Sequence, residues 1–203
     1  MEIKDTYKTI EIPTEEILFK EKNSKFFGYA FPVSTTDEIK IHIDQLKKQH
    51  FGAVHFCYAY QIGTEKIEFR ANDDGEPSNS AGIPIYGQIQ SFGLTNILIV
   101  VVRYFGGTKL GVGGLITAYK TTAQLALENA SIIEKTIDVQ FKITFDYKNI
   151  NKVMRIIKEK QLDIHSQKME ENCELLIVTR KKNAERIFDI FDALFEISIS
   201  KLD

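Results

Sequence analysis

The chain has 203 residues, 43% apolar and 27% charged, with a net charge of −2. That length supports one large domain or two small ones, each with its own core, and the near-neutral balance excludes a bulk electrostatic grip on nucleic acid. No apolar run approaches a membrane span and residues 1–14 are too acidic and polar for a signal peptide, so a cytoplasmic protein with no membrane partner is expected.

From the N-terminus, alternation over 7–12 predicts a strand, and further strands are expected over 16–21 and 26–33, with Lys22-Asn23-Ser24-Lys25 turning between the last two. Thr36-Asp37 reads as the cap of a helix that carries Ile39, Ile43 and Leu46 at helical spacing and ends near His50-Phe51-Gly52. Strands over 54–62 and 66–71 form a hairpin. The stretch Asn72 to Gly82 has no periodicity and holds Asp73, Asp74 and Glu76, which makes it a long ordered loop. A helix over 84–92 then leads to the uninterrupted apolar run 97–102, a strand buried on both faces in the middle of a sheet.

Five of the chain's twelve glycines fall between 106 and 114, and a helical pattern follows from Leu115 to about Asn129. Strand, glycine loop and helix can present backbone N–H groups to an anion. It is not a Walker A loop, because Val112 stands where lysine is needed; nor is it a dinucleotide fingerprint, because Ile116 replaces the third glycine. What remains is Arg103 at the strand exit and Lys109 in the loop as two cations for an RNA or other phosphate, with Gly106, Gly107, Gly111 and Gly113 giving close backbone approach. The plainer reading is that these glycines serve only a tight turn and helix packing.

Asp73, Asp74 and Glu76 are hard oxygen ligands that suit a divalent cation or acid–base work, or simply a solvated turn. His55 and Cys57 share one face of their strand, and His42, His50 and His165 offer no metal-ligand spacing to complete a site, so packing under the sheet is expected. Cys57 and Cys173 read as free thiols. Hydrolase signatures are missing; no catalytic residue is assigned and no cofactor is expected. Phe188 and Phe191 fall on a helix and belong to a core, whereas Phe26, Phe27 and Tyr29 beside Lys22 and Lys25 form a candidate basic and aromatic patch. Splitting at residue 134 gives 13 basic and 16 acidic residues before it (−3), and 13 and 12 after it (+1). Any nucleic-acid contact therefore needs a local patch.

Beyond Thr136 a strand over 136–145, a helix over 149–160, strands over 162–169 and 174–179, a helix over 184–194 and a strand over 196–200 give βαββαβ, the ferredoxin-like order. The expected fold is α+β in two domains, 1–134 and 135–203, with the boundary near 131–136.

Asp73-Asp74-Gly75-Glu76-Pro77, Ala81-Gly82-x-Pro84, and Arg103-Tyr104-Phe105-Gly106-Gly107 with Leu110-Gly111-x-Gly113-Gly114-Leu115 closely resemble the signature of the IMPACT/YigZ family. Lys22-x-Ser24-Lys25-Phe26 and His55-x-Cys57 resemble its upstream motifs. The match covers about 110 residues, and the C-terminal unit resembles the second domain of bacterial members. The resemblance implies a first domain like the second domain of a small-subunit ribosomal protein, shared with elongation factor G and some small-molecule kinases. It implies a second domain like the final domain of elongation factor G. With the eukaryotic relatives' link to translational control, it suggests a regulator that binds the ribosome, structured RNA or translation factors, and no DNA. Two alternatives stay open: an enzyme using the glycine loop for a phosphate or nucleotide with a metal held by the acidic loop, and a protein-interaction module recognised through its carboxylates. One departure stands out. Ser78-Asn79-Ser80 replaces the family's usual Ser-Gly-Thr, and asparagine tolerates left-handed backbone geometry.

Overall fold

The computed structural model describes residues 4–202; the expected domain ends at 1–3 and 203 lie outside them. The chain divides into two compact units, one spanning Tyr7–Lys135 and the other 136–202 together with residues 4–6. Among the described residues no helix is long and apolar enough to cross a membrane.

The first unit is built from β1 (Thr6–Ile10), β2 (Ile17–Glu21), β3 (Ser24–Pro32), α1 (Thr36–Gln49), β4 (His55–Ile62), β5 (Glu68–Asn72), α2 (Gly82–Ser91), β6 (Ile97–Tyr104), α3 (Gly111–Glu128) and β7 (Ile132–Thr136). Its main sheet has the order β2-β3-β6-β4-β5, with every neighbouring pair antiparallel. The apolar run is the central strand β6. Ile97, Ile99 and Val101 pack under α2 and α3 with Ile85, Ile89, Tyr119 and Leu127, while Leu98, Val100 and Val102 pack with Tyr29, Phe56, Ile39 and Leu46 of the α1 side. All six are fully buried, at roughly 1.5–3 kcal/mol for each larger side chain. An antiparallel strand normally alternates; here both faces are covered, so the alternation vanishes.

Two local expectations shift. The cap of α1 is Thr35, not Thr36: its backbone is extended (φ −134°, ψ 157°), and it forms a reciprocal capping box with Glu38. Helix α3 starts at Gly111, so Gly111 and Gly113 lie in its first turn rather than in a loop. The stretch 131–136, where the boundary was expected, is occupied by the strand β7, paired with β1 as a separate two-stranded sheet. Its partner is remote in sequence, so no local signal marks it.

The second unit contains β8 (Asp138–Asp146), a 3-10 turn, α4 (Ile150–Lys160), β9 (Asp163–Lys168), β10 (Asn172–Arg180), α5 (Lys181–Asp192) and β11 (Ile197–Lys201). The sheet order is β11-β8-β10-β9, antiparallel throughout, which is the ferredoxin-like arrangement. Val139, Phe141, Ile143 and Phe145 alternate with Gln140 and Lys142 along β8, putting one face on the core and leaving the other to water. Residues 4–6 join this unit through Asp5, whose carbonyl accepts from the Ile137 N–H at 2.7 Å and whose carboxylate pairs with Arg180 at 2.9 Å.

Candidate functional site

The acidic loop and the glycine loop meet at one end of the five-stranded sheet. Continuing the alternation of β6, Arg103 falls on the α2/α3 face, opposite His55 of β4. Its guanidinium Nη1 donates to Glu76 Oε1 at 2.5 Å, and the Tyr119 hydroxyl of α3 donates to the same oxygen at 2.7 Å. The side chains of Arg103 and Glu76 are only 6% and 4% exposed. Nη2 lies 3.4 Å from Ser24 Oγ, which also accepts from the Gly106 N–H at 3.2 Å. The guanidinium carbon sits over two rings, 5.4 Å from the centroid of Phe26 and 5.5 Å from that of Phe105.

His55 closes the cluster. Its Nδ1 is 2.8 Å from the Asp74 carbonyl oxygen, which can only accept, so Nδ1 carries the proton and Nε2 faces Glu76 at 3.9 Å. Burial pushes the Tyr119 phenol and the Cys57 thiol well above their ordinary pKa values. Both stay protonated and act as donors, Cys57 to the Asp73 carbonyl at 3.0 Å. Such a thiol is no nucleophile.

The acidic residues have internal duties. Asp73 Oδ1 accepts from the N–H groups of Ala81 (2.9 Å) and Gly82 (2.8 Å), and Oδ2 from that of Asn79 (2.8 Å). It thereby caps α2, whose own N-cap residue, Ala81, has no side-chain oxygen. Asn79 has φ +62°, so asparagine holds the left-handed conformation that glycine would supply. Asp74 Oδ2 accepts from the Phe56 N–H at 2.6 Å. Among the described residues no group of three or more His, Cys, Asp or Glu side chains is placed to hold a metal ion. The acidic loop, open to a cation, to acid–base work or to a solvated turn on sequence grounds, makes internal contacts: its carboxylates are met by backbone donors and by Arg103. Glu76 offers little to a basic partner, its side chain being only 4% exposed.

Arg103 is thus inside, not at a surface where a phosphate docks. Lys109 is exposed in the glycine loop, as are Lys22 and Lys25 in the hairpin opposite. A Cβ on Gly106 would overlap the backbone of Asn23 and Ser24, so only glycine lets the two loops touch. Gly107, Gly111 and Gly113 face open space. Sequence reasoning missed three participants: Tyr119, inside the helical pattern that follows the glycine loop; Ser24, read as part of a turn; and Phe105, 51% exposed at the strand exit. The Lys-x-Ser-Lys-Phe motif carried the signal for Ser24.

A second polar cluster lies on the opposite face. Tyr29 donates to Glu16 and lies 2.6 Å from His50 Nε2, while the Tyr104 hydroxyl lies 3.1 Å from His50 Nδ1. The Tyr29 hydroxyl donates to the Glu16 carboxylate, so His50 Nε2 is the donor to Tyr29 and Nδ1 the acceptor from Tyr104. Burial holds the His50 pKa below its ordinary 6.5.

A doubly covered antiparallel sheet whose end is fastened by a buried glutamate–arginine–tyrosine cluster, followed by a ferredoxin-like unit, defines a two-domain α+β class of protein. The chain belongs to the IMPACT family: the model of the Impact N-terminal domain matches residues 22–127. The IMPACT family member YvyE of Bacillus subtilis is 35% identical over 177 residues, covering 87% of this chain and 81% of its own length. An IMPACT family member of Haemophilus influenzae is 33% identical over 181 residues and 86% of each chain. A crystal structure of a hypothetical protein shares the fold over 99% of both chains, with a TM-score of 0.74 at 22% identity.

Proposed function

We propose that this protein is a translation-associated regulator that binds structured RNA of the translation apparatus and does so without catalysis. Family membership supports the translational setting through the link to translational control that the resemblance implies. The observation that carries the RNA reading is the Gly106 junction. It sets the Lys22-Asn23 turn against Gly106, three positions before Lys109, so two loops carrying three exposed lysines are joined in a chain whose net charge is −2. Phosphate contacts fall to these lysines, with Arg103 fixing the loops behind them. Lysine suits this role as a hydrated point charge on a flexible stem.

The test is sedimentation with ribosomes and separated subunits at low and near-physiological salt, comparing the wild type with the Lys22→Ala/Lys25→Ala/Lys109→Ala variant. The expected result is cosedimentation with one particle that persists at near-physiological salt, and a variant whose log–log salt slope falls by about 2–3. Absence of binding at both salts, or an unchanged slope, overturns the reading.

A further inference from the structure

We propose that Phe105 is a pre-set stacking platform for an unpaired RNA base, backed by the buried Arg103 guanidinium and flanked by Lys22, Lys25 and Lys109 for the adjoining phosphates. This deepens the RNA-binding reading above and rests on it.

Phe105 follows the last residue of β6 and remains 51% exposed, although the interior it leaves is closely packed. Arg103 lies over its ring at 5.5 Å. That guanidinium is held by Glu76, Ser24 and the ring of Phe26, so the cation beneath Phe105 does not wander. Among the described residues its buried Nε has no hydrogen-bond partner. The arginine is oriented by its terminal nitrogens and its two rings rather than by complete hydrogen bonding. Little ordering remains to be lost when a flat ligand settles on the outer face of Phe105.

The surroundings suit a sugar–phosphate chain. Lys25 is opposite Tyr104 in register, Lys22 shares the two-residue left-handed turn with Asn23, and Asn23 lies against Gly106. Lys109 follows within the same loop. Of the acidic groups in the neighbouring loops, Glu76 is buried and ion-paired, Asp74 accepts from the Phe56 N–H, and Glu21 ends β2. A protein partner would favour an apolar centre around the ring. An RNA loop or single strand supplies a π-face and phosphates together.

The test uses the full chain, which contains no tryptophan, so Phe105→Trp provides a single fluorescent reporter in the ring's own place. Titration with a single-stranded RNA oligonucleotide is expected to quench it. Phe105→Ala, with its fold checked by circular dichroism, is expected to bind the same oligonucleotide about 5- to 150-fold more weakly. A fully paired duplex of the same sequence is expected to bind the wild type more weakly than the single strand. Unquenched tryptophan, undiminished affinity in Phe105→Ala, equal binding of the duplex, or equal competition by polyglutamate would each overturn the proposal. If the triple-lysine variant loses particle binding while Phe105→Ala keeps both particle and oligonucleotide affinity, stacking fails and the RNA-binding reading stands. If neither variant changes anything, both fall.

Discussion

The two units handle the same ion-pair chemistry in opposite ways. Arg103 and Glu76 meet at 2.5 Å with side chains 6% and 4% exposed; Lys142 and Glu174 meet at 2.6 Å on the open face of the second sheet with side chains 36% and 43% exposed. The separations are nearly equal, yet the surroundings set what each pair does. In water the second pair gains little, because solvent and salt screen it. Buried, the first pair leaves an uncompensated charge if either member is removed. The doubly covered sheet turns charged residues into structural fasteners, and the half-covered sheet leaves them as surface.

The strongest way to break this comparison is to truncate one carboxylate in each unit. Glu76→Ala should cost about 3–5 kcal/mol in denaturant unfolding of the first unit, whereas Glu174→Ala should change the second by under about 1 kcal/mol and less still at high salt. Equal costs would sink it. Next in size is Gly106→Ala, expected to destabilise by about 1–3 kcal/mol because the new methyl must displace the Asn23–Ser24 backbone. Asp73→Ala removes the cap of α2 and should cost about 1–2 kcal/mol, seen as faster amide exchange at Ala81 and Gly82. Asp73→Asn keeps one acceptor oxygen for the Ala81 and Gly82 N–H groups but sets an NH2 against that of Asn79, so a smaller loss than in Asp73→Ala is expected.

Smaller effects sharpen it further. Gly113→Ala should stabilise α3 by about 0.5–1 kcal/mol, because the added methyl meets nothing within 4 Å among the described residues, and a raised denaturant midpoint would show it. His50 supplies a pH signature. Its folded pKa lies below the unfolded 6.5, so between the two values the unfolded chain binds more protons. The stability it contributes is present above pH 6.5 and is lost as pH falls through the folded value. The stability gap between wild type and His50→Gln should therefore narrow from pH 7.5 downward. A constant gap would show that His50 does not titrate differently in the two states.

The contrast also explains what the sequence revealed. In the second unit, period-two and period-3.6 patterns survive because each element has a wet side, so βαββαβ was readable along with its core residues Val153, Ile157, Ile187 and Phe191. In the first unit, the unbroken run 97–102 disclosed a doubly buried strand but not which helices cover it. The acidic and glycine loops stood out by composition, yet their meeting did not. Arg103 looks like a surface cation until the register with His55 and the fold-back of residues 73–80 put it indoors. Phe105 and Tyr119 were invisible for a related reason: a ring beside glycine and a tyrosine on an apolar stripe carry no local mark of the charge they touch. The β1–β7 pairing was hidden by separation along the chain.

The Gly106 junction ties together two stretches of the gene that are far apart. Ser24 and Gly106 are 82 positions apart, and an insertion in either loop would lift one off the other. A lysine at 22, 25 or 109 can be exchanged for another cation without disturbing this contact, whereas a change of loop length on either side of it cannot be absorbed. Point substitutions here therefore act on charge alone, while the spacing of the two loops is set by the contact at Gly106.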